Sequence, residues 1–346
     1  MGNRIGIIAY ANASGLGAIA ENFRKYLKLD SQLVIRHPVK GTYNIDIPHT
    51  FGDIDTTHNQ FIRYLDTCKP EAVIVVETPF NFEFFKIMHD HKIKVILIPM
   101  IDSISIEKFI PYAKYIDVVI NVTKFGHDVY KDNWPGKCVH IHYPIDVDYF
   151  CLADNQPAYT FAHSEGWGGG GYRKGTDLIS TAFQQLYYTY SKDKPTMWIH
   201  GQPGESAHSQ LPKNLYINTH REDLPEAIDI YREGKIFICS SRREGLGLPI
   251  LEAIACGLPV ITTDAPPMNE WFTDDRLLVK VQNQEDLPYG DIPMYTPSVF
   301  DLMQKMEFAY NNPKEMEQIG KKNRIIIQNK FSWNVLRNKY LEVLNR

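Results

Sequence analysis

The chain has 346 residues, with 37 Lys and Arg against 41 Asp and Glu, and a formal net charge of −4; 44% of it is hydrophobic and 23% is charged. These fractions exclude a disordered or membrane-embedded chain and suit two globular domains of ordinary size. The small negative net charge gives no bulk electrostatic reason to expect nucleic acid as a partner, because phosphate binding rests on clustered Lys and Arg.

From residue 4 the sequence alternates short apolar runs with amphipathic stretches. RIGIIAY (4–10) predicts a strand, followed by a turn with Gly15 and Gly17 and a helix to about residue 28. QLVIRH (32–37), AVIVVE (72–77), KVILIP (94–99), DVVINV (117–122) and CVHIHY (138–143) predict further strands. Strands rich in Val and Ile, alternating with helices, argue for a parallel sheet covered on both faces. The segment 144–157, PIDVDYFCLADNQP, is broken by prolines and acids and marks a domain boundary. A second series follows: AYTFAH (158–163), a glycine-rich loop, a helix over about 175–190, then TMWIHG (196–201), NLYIN (214–218), KIFICS (235–240), PVITTD (259–264) and LLVKV (277–281). Residues 282–296 read as irregular, and the chain beyond Ser298 as helical with one break near Asn311-Asn312-Pro313.

Five cysteines, Cys68, Cys138, Cys151, Cys239 and Cys256, are scattered and form no C-x-x-C. A reduced state and a cytoplasmic location are expected. MGNRIGIIAY leads at once into a strand, and apolar runs such as VILIPMI (95–101) are short, so neither a signal peptide nor a transmembrane segment is expected.

Chemistry concentrates at EGLGLPILEAIACGLPV (244–260), directly after the strand KIFICS. Pro249 suits the first helical position and Gly257 the position just past the helix end. Gly245 and Gly247 allow close backbone approach, and the N–H groups of Gly245, Leu246, Gly247 and Leu248 ahead of Pro249 form a ready anion site. Glu244 in the loop and Glu252 in the first helical turn frame it, the second kept ionised by the helix dipole. Phosphates and hydroxyls on one ligand would satisfy both features, as in a nucleotide sugar.

The pattern Glu244-x7-Glu252 followed by A-x-A-x-G-x-P-V resembles the donor-site signature of the retaining GT-B glycosyltransferases of family 4. The resemblance implies two Rossmann-like α/β domains facing across a cleft, with a C-terminal helix returning to the first. It sets the domains at 1–150, completed by 332–346, and 151–331. PIDVDYF (144–150) resembles the family's interdomain run, with Pro144 in place of its usual glycine.

The loop SEGWGGGGYRKGTDL (164–178) places Arg173 and Lys174 beside a helix start, where cations and free N–H groups would grip a diphosphate. RKGTDLI is similar to the family's phosphate-binding lysine segment. The usual arginine six residues ahead of the lysine is Gly168 here, so either Arg173 or the tetraglycine backbone takes that work. Family position implies that Gly15 and Gly17 face the donor or acceptor. It also implies that Gly201, Asn218 and His220 lie near the base, and that Asp102, in PMIDSIS (99–105), stands where relatives often carry a histidine.

Asp53-Ile54-Asp55 and Asp146-Val147-Asp148 have the spacing of a metal-binding D-x-D, but the first lies in a loop far from any glycine-rich phosphate motif and the second in the domain connector. The histidines show no H-E-x-x-H, and no metal or other cofactor is expected. The implied function is transfer of a hexose-type sugar from a UDP- or GDP-sugar to a hydroxyl on a glycan, a lipid-linked sugar or another acceptor, with retention and without metal. Glu244, Lys174, Arg173 and Asp102 are the catalytic candidates, and Glu252 the ribose acceptor. The rival readings are a GT-B epimerase or phosphorylase and a silent binding subunit. Lys and Arg are in excess over 314–346, which reads as a solvated helix face.

Overall fold

The structure is a computed structural model and describes residues 4–38, 41–152, 156–166, 170–202, 217–272, 274–288 and 290–345. The chain divides into two compact units. The first is Met1–Pro144 with Pro288–Asp291 and Trp333–Arg346; the second is Ile145–Leu287 with Ile292–Ser332.

The first unit is built on a seven-stranded parallel sheet of β1 (Ile5–Tyr10), β2 (Ser31–Ile35), β3 (His49–Gly52), β4 (Ala72–Val76), β5 (Lys94–Ile98), β6 (Val118–Asn121) and β7 (Cys138–His140). Its order is β3-β2-β1-β4-β5-β6-β7. The strands β2 and β4 are buried along their whole length; β4, AVIVV, is accordingly an unbroken apolar run, while β2 opens with Ser31 and Gln32, which bond Tyr64 Oη at 3.1 Å and Ala9 O at 3.0 Å. Crossovers are made by α1 (Gly15–Leu27), α2 (His58–Cys68), α3 (Glu83–Asp90) and α4 (Lys124–Tyr130). Ser14 caps α1 by accepting from Gly17 N, and the helix buries Ile19, Ala20, Phe23 and Leu27. A Thr57–Gln60 capping box starts α2. The edge strand β3, HTFG, went unpredicted because it has four residues and an exposed Phe51.

The second unit carries a six-stranded parallel sheet of β8 (Tyr159–Gly166), β9 (Met197–Gly201), β10 (Ile217–His220), β11 (Gly234–Cys239), β12 (Val260–Thr263) and β13 (Leu278–Val279), in the order β10-β9-β8-β11-β12-β13. Its helices are α5 (Gly170–Arg173), α6 (Thr176–Thr189), α7 (Leu248–Ala255), α8 (Val299–Asn311) and α9 (Pro313–Lys330). Phe161, Ile179, Phe183, Leu186, Met197, Ile238 and Leu302 form the core between this sheet and the helices. Of NLYIN, residues 214–216 lie outside the described residues, and the strand runs on to His220.

Two readings need correction. LLVKV is not one strand: β13 ends at Val279, and a separate β14 (Val281–Glu285) pairs antiparallel with β15 (Met294–Pro297). Residues 282–296, expected to be irregular, therefore contain a hairpin. QNQE is exposed on both faces, so no period-two apolar pattern announces it. Between these strands Asp291 belongs with the first unit, where its N–H donates to Ile101 O at 2.8 Å and its carboxylate accepts from Ser105 Oγ at 2.9 Å and Ile106 N at 2.7 Å.

The last helix, α10 (Trp333–Asn345), is part of the first unit, as the resemblance implies. Trp333 stacks on Tyr26 with centroids 4.7 Å apart, Tyr340 packs on Phe23 at 5.6 Å, and Arg337 Nε donates to Tyr26 O at 2.6 Å. Lys94 Nζ adds a bond to Val343 O at 2.7 Å, so both charged and aromatic groups fix the returning helix.

Candidate functional site

In the second unit the chain leaves the carboxyl end of β11 into a loop buried from Ser240 to Gly247. Burial of so many polar groups requires internal partners. Glu244, 5% exposed, receives three bonds: Lys174 Nζ to Oε1 at 2.5 Å, Ser241 Oγ to Oε1 at 2.7 Å and Arg173 NH1 to Oε2 at 3.2 Å. Burial alone would raise its carboxyl, but the two cations and the donated bonds outweigh that and hold it at about 2. Glu244 is therefore an anion throughout the neutral range.

Arg173 ends the short α5, and Lys174 stands two residues before α6. Gly175 has φ +74°, and a Cβ there would lie 2.1 Å from Ser240 O. Only glycine lets this turn touch the end of β11, and that contact delivers Lys174, itself 7% exposed, to Glu244. Gly168, the position of the usual upstream arginine, lies outside the described residues, as do its neighbours 167 and 169.

Glu252 differs from its expected state. The helix α7 starts at Leu248 with Gly247 as N-cap and no acid in its first turn, so Glu252 lies one position further in than expected, just past that turn. It is 8% exposed, and burial pushes its carboxyl up to about 7, against a hydrogen bond from Tyr231 and the charge of Lys174 that pull it down. Desolvation outweighs the helix dipole at this depth, because the dipole's influence falls off within the first turn. Tyr231 Oη donates to Glu252 Oε2 at 2.5 Å. No side chain caps the N-terminus of α7, where Gly247 has φ 78°. Gly245 and Leu246 are buried in the same loop, and Leu248 is half-buried at the helix start.

Beside this cluster, at the ends of β8 and β9, Glu165 is 3% exposed and accepts from Arg221 NH1 at 3.3 Å. A Cβ on Gly201 would lie 2.9 Å from Glu165 Oε2, so Gly201 makes room for that carboxylate. His220 ends β10 and stacks with His200 and Trp198, at centroid distances of 5.9 and 6.3 Å. Asn218 sits inside β10 and donates to Tyr159 Oη at 2.6 Å at the opposite, amino end of β8.

The remaining candidates belong to the first unit. A Cβ on Gly17 would fall 2.0 Å from Asn12 O, whereas Gly15 faces open space. Asp102 follows β5 and receives a bond from Ser103 Oγ at 3.4 Å. Of the two D-x-D pairs, Asp53 is engaged by Arg36 at 3.7 Å and Gln60 at 2.9 Å, and Asp146 accepts from Tyr149 N at 3.0 Å. Among the described residues no group of three His, Cys, Asp or Glu side chains is placed to hold a metal ion.

Sequence reasoning missed Tyr231, Ser241, Glu165 and Arg221. Ser241 lies three residues ahead of Glu244 and could have been found by asking what satisfies a buried carboxylate. Tyr231 and Arg221 sit in no motif, and only the fold brings them in.

Two Rossmann-like parallel-sheet domains with a charged loop at a strand's carboxyl end define an α/β fold of the GT-B class. Residues 168–288 match the family described as Glycosyl transferases group 1. An O-antigen biosynthesis glycosyltransferase, WclY of Escherichia coli, is 26% identical over 178 residues, which are 50% of this chain and 43% of the relative. The GtfA subunit of a UDP-N-acetylglucosamine--peptide N-acetylglucosaminyltransferase from Streptococcus pneumoniae serotype 4 is 34% identical over 86 residues, 23% of this chain and 16% of that protein. The chain thus spans less than half the length of either relative. The solved structure of HepE from Anabaena in complex with UDP superimposes with a TM-score of 0.72 at 11% identity, covering 98% of both chains, a likeness of fold.

Proposed function

We propose that the protein transfers a hexose-type sugar from a nucleotide diphosphate sugar to an acceptor hydroxyl, with retention and without a metal. The observation that carries the reading is the Lys174–Glu244–Arg173 cluster inside the segment that matches the group 1 family. Two cations against one anion leave a net positive charge; Lys174 is buried, where an arriving diphosphate is attracted more strongly than in water, and Arg173, with 40% of its side chain exposed, is open to it.

Cleavage of the sugar's anomeric C–O bond sends its electron pair to the terminal phosphate oxygen of the nucleotide, so negative charge grows there while the sugar ring turns oxocarbenium-like. Lys174, Arg173 and the backbone of Gly245, Leu246, Gly247 and Leu248 are the donors for that growing charge. They do the work a metal would otherwise do. The acceptor oxygen then bonds to the anomeric carbon on the same face, and its proton passes to the departing phosphate. Glu244 keeps part of its acceptor capacity: of roughly four lone-pair directions, three are taken by Lys174, Ser241 and Arg173. The remaining one suits a sugar hydroxyl. Glu252 accepts the ribose hydroxyls once it loses its proton, and His220 and Gly201 lie toward the base. On the first unit, Asp102 is assigned to the acceptor side, and Gly15 and Gly17 to the donor phosphate or the acceptor.

A UDP-sugar is the preferred donor, supported by the UDP bound to HepE and the UDP-N-acetylglucosamine named for GtfA. The acceptor is a glycan, a lipid-linked sugar or another hydroxyl compound. No helix among the described residues is long and apolar enough to cross a membrane. The deciding experiment is a thermal-shift panel of UDP- and GDP-sugars, followed by detection of released nucleotide with and without acceptors. Stabilisation by one donor and acceptor-stimulated release are the expected results. Conversion of the donor without acceptor would instead indicate an epimerase, and binding without turnover a silent subunit.

A further inference from the structure

Arg242 is buried, with 4% of its side chain exposed, yet it points at neither Glu244 nor Glu252. Its guanidinium forms a two-pronged pair with Asp177: NH1 to Oδ1 and NH2 to Oδ2, both at 2.6 Å. NH1 also donates to Tyr172 O at 2.5 Å, and the guanidinium carbon lies 3.9 Å from the centre of the Tyr172 ring. Tyr172 is 54% exposed, so burial of its ring does not explain its position; it lies as a cover over the cation. The backbone continues the grip: Arg242 N donates to Arg173 O at 2.8 Å, and Arg242 O accepts from Tyr295 N of β15 at 2.9 Å.

Apart from the bond to Tyr295, these bonds fall on Tyr172 and Arg173, just before Lys174, and on Asp177, three residues after it. A turn that carries two cations toward one another and toward a diphosphate must resist their mutual repulsion when Glu244 is drawn to a sugar hydroxyl. Resting on the glycosyltransferase reading above, we infer that Arg242 is a positioning residue that presets Arg173 and Lys174 for the donor diphosphate, through Asp177 and Tyr172. It touches no substrate. A lysine at 242 could keep the charge but not the fork, so the geometry calls for arginine.

The test uses the full chain with Arg242→Ala, Arg242→Lys and Asp177→Asn, and the same Arg242→Ala change in a Lys174→Ala background. Amide hydrogen exchange in the absence of ligand comes first. Arg242→Ala and Asp177→Asn should speed exchange across 170–177 while β11 and α7 keep wild-type protection. UDP and inorganic pyrophosphate should then bind about tenfold more weakly to Arg242→Ala. Arg242→Lys should recover only part of that loss, and turnover should fall with little change in the KM for acceptor. Because the effect runs through Lys174, adding Arg242→Ala to Lys174→Ala should cost much less than it does in the wild type. Unchanged exchange over 170–177, or full additivity with Lys174→Ala, overturns the inference. A wild type that binds neither UDP nor pyrophosphate would overturn the glycosyltransferase reading alone, and the exchange result would still decide whether Arg242 orders the turn. If Arg242→Ala does not fold, the exchange and binding of Asp177→Asn decide in its place.

Discussion

The turn after β1 and the turn after β8 occupy equivalent places in their two sheets, each following a central strand and leading into a helix. The first closes on itself. Ser14 caps α1, Ser14 Oγ donates to Asn12 Oδ1 at 2.6 Å, and the Cβ missing from Gly17 would fall on Asn12 O in the same turn. The second closes on its neighbour, since the Cβ missing from Gly175 would fall on Ser240 O at the end of β11. Both need one glycine for a close backbone contact. Where that contact is made decides the chemistry: the first turn presents a polar, uncharged loop, and the second brings Arg173 and Lys174 against Glu244.

The sharpest way to break this contrast is Gly175→Ala. It combines a left-handed φ with a backbone clash, so a loss of roughly 2–6 kcal/mol is expected from strain and overpacking together. Gly17→Ala meets the clash without a positive φ and should cost about 1–3 kcal/mol. Urea unfolding of the two variants ranks them, and a Gly175→Ala variant no less stable than Gly17→Ala would sink the argument. Next in size is Lys174→Ala, which removes a donor aimed at the growing phosphate charge and should lower kcat by about 10²–10³. Single-turnover release of nucleotide is the measurement, and unchanged turnover would take Lys174 out of the mechanism.

The two carboxylates of the second unit should respond to pH with opposite signs. Glu252, displaced from 4.5 up to about 7 by burial, is protonated in the folded chain where the unfolded chain has already lost its proton. Its contribution is complete below about pH 4.5 and is lost as pH rises through 7, by up to about 3 kcal/mol. Glu244, held at about 2, contributes above pH 4.5 and loses that contribution as pH falls toward 2. Stability of the ligand-free protein measured from pH 5 to 8 should therefore decline for the wild type relative to Glu252→Gln. Binding of UDP, if it needs the ionised Glu252, should strengthen over the same interval. Parallel pH profiles for the two proteins would show that Glu252 does not titrate there.

Much of this arrangement was legible from residue order, because it is local. Strand, glycine loop and helix over 235–257, and the RKG turn, are each contained in a short window whose periodicity and punctuation are unambiguous. Glu252 was misjudged since its ionisation depends on burial, which residue order does not show, and on a helix start shifted by one position. The hairpin β14–β15 was missed for a related reason: its strands are held by backbone pairing, with polar side chains that carry no pattern. The strand NLYIN was ended at Asn218, and the observed strand runs on to His220. Arg242 was in plain view beside Glu244, but its partner Asp177 lies 65 residues earlier, and sequence spacing does not reveal such a pair.

Gly15 makes the smallest and most discriminating test of the first turn. Its Cβ position is open, and it begins α1 with no left-handed φ, so the backbone there does not require glycine. Gly15→Ala should raise stability by about 0.4–1 kcal/mol by restricting the unfolded chain. If glycine is present so that a ligand can approach the backbone, the added methyl must also raise the KM of donor or acceptor while the melting temperature climbs. A variant that gains stability and keeps both KM values would show that Gly15 merely starts a helix, leaving Gly17 as the residue whose bareness the fold itself demands.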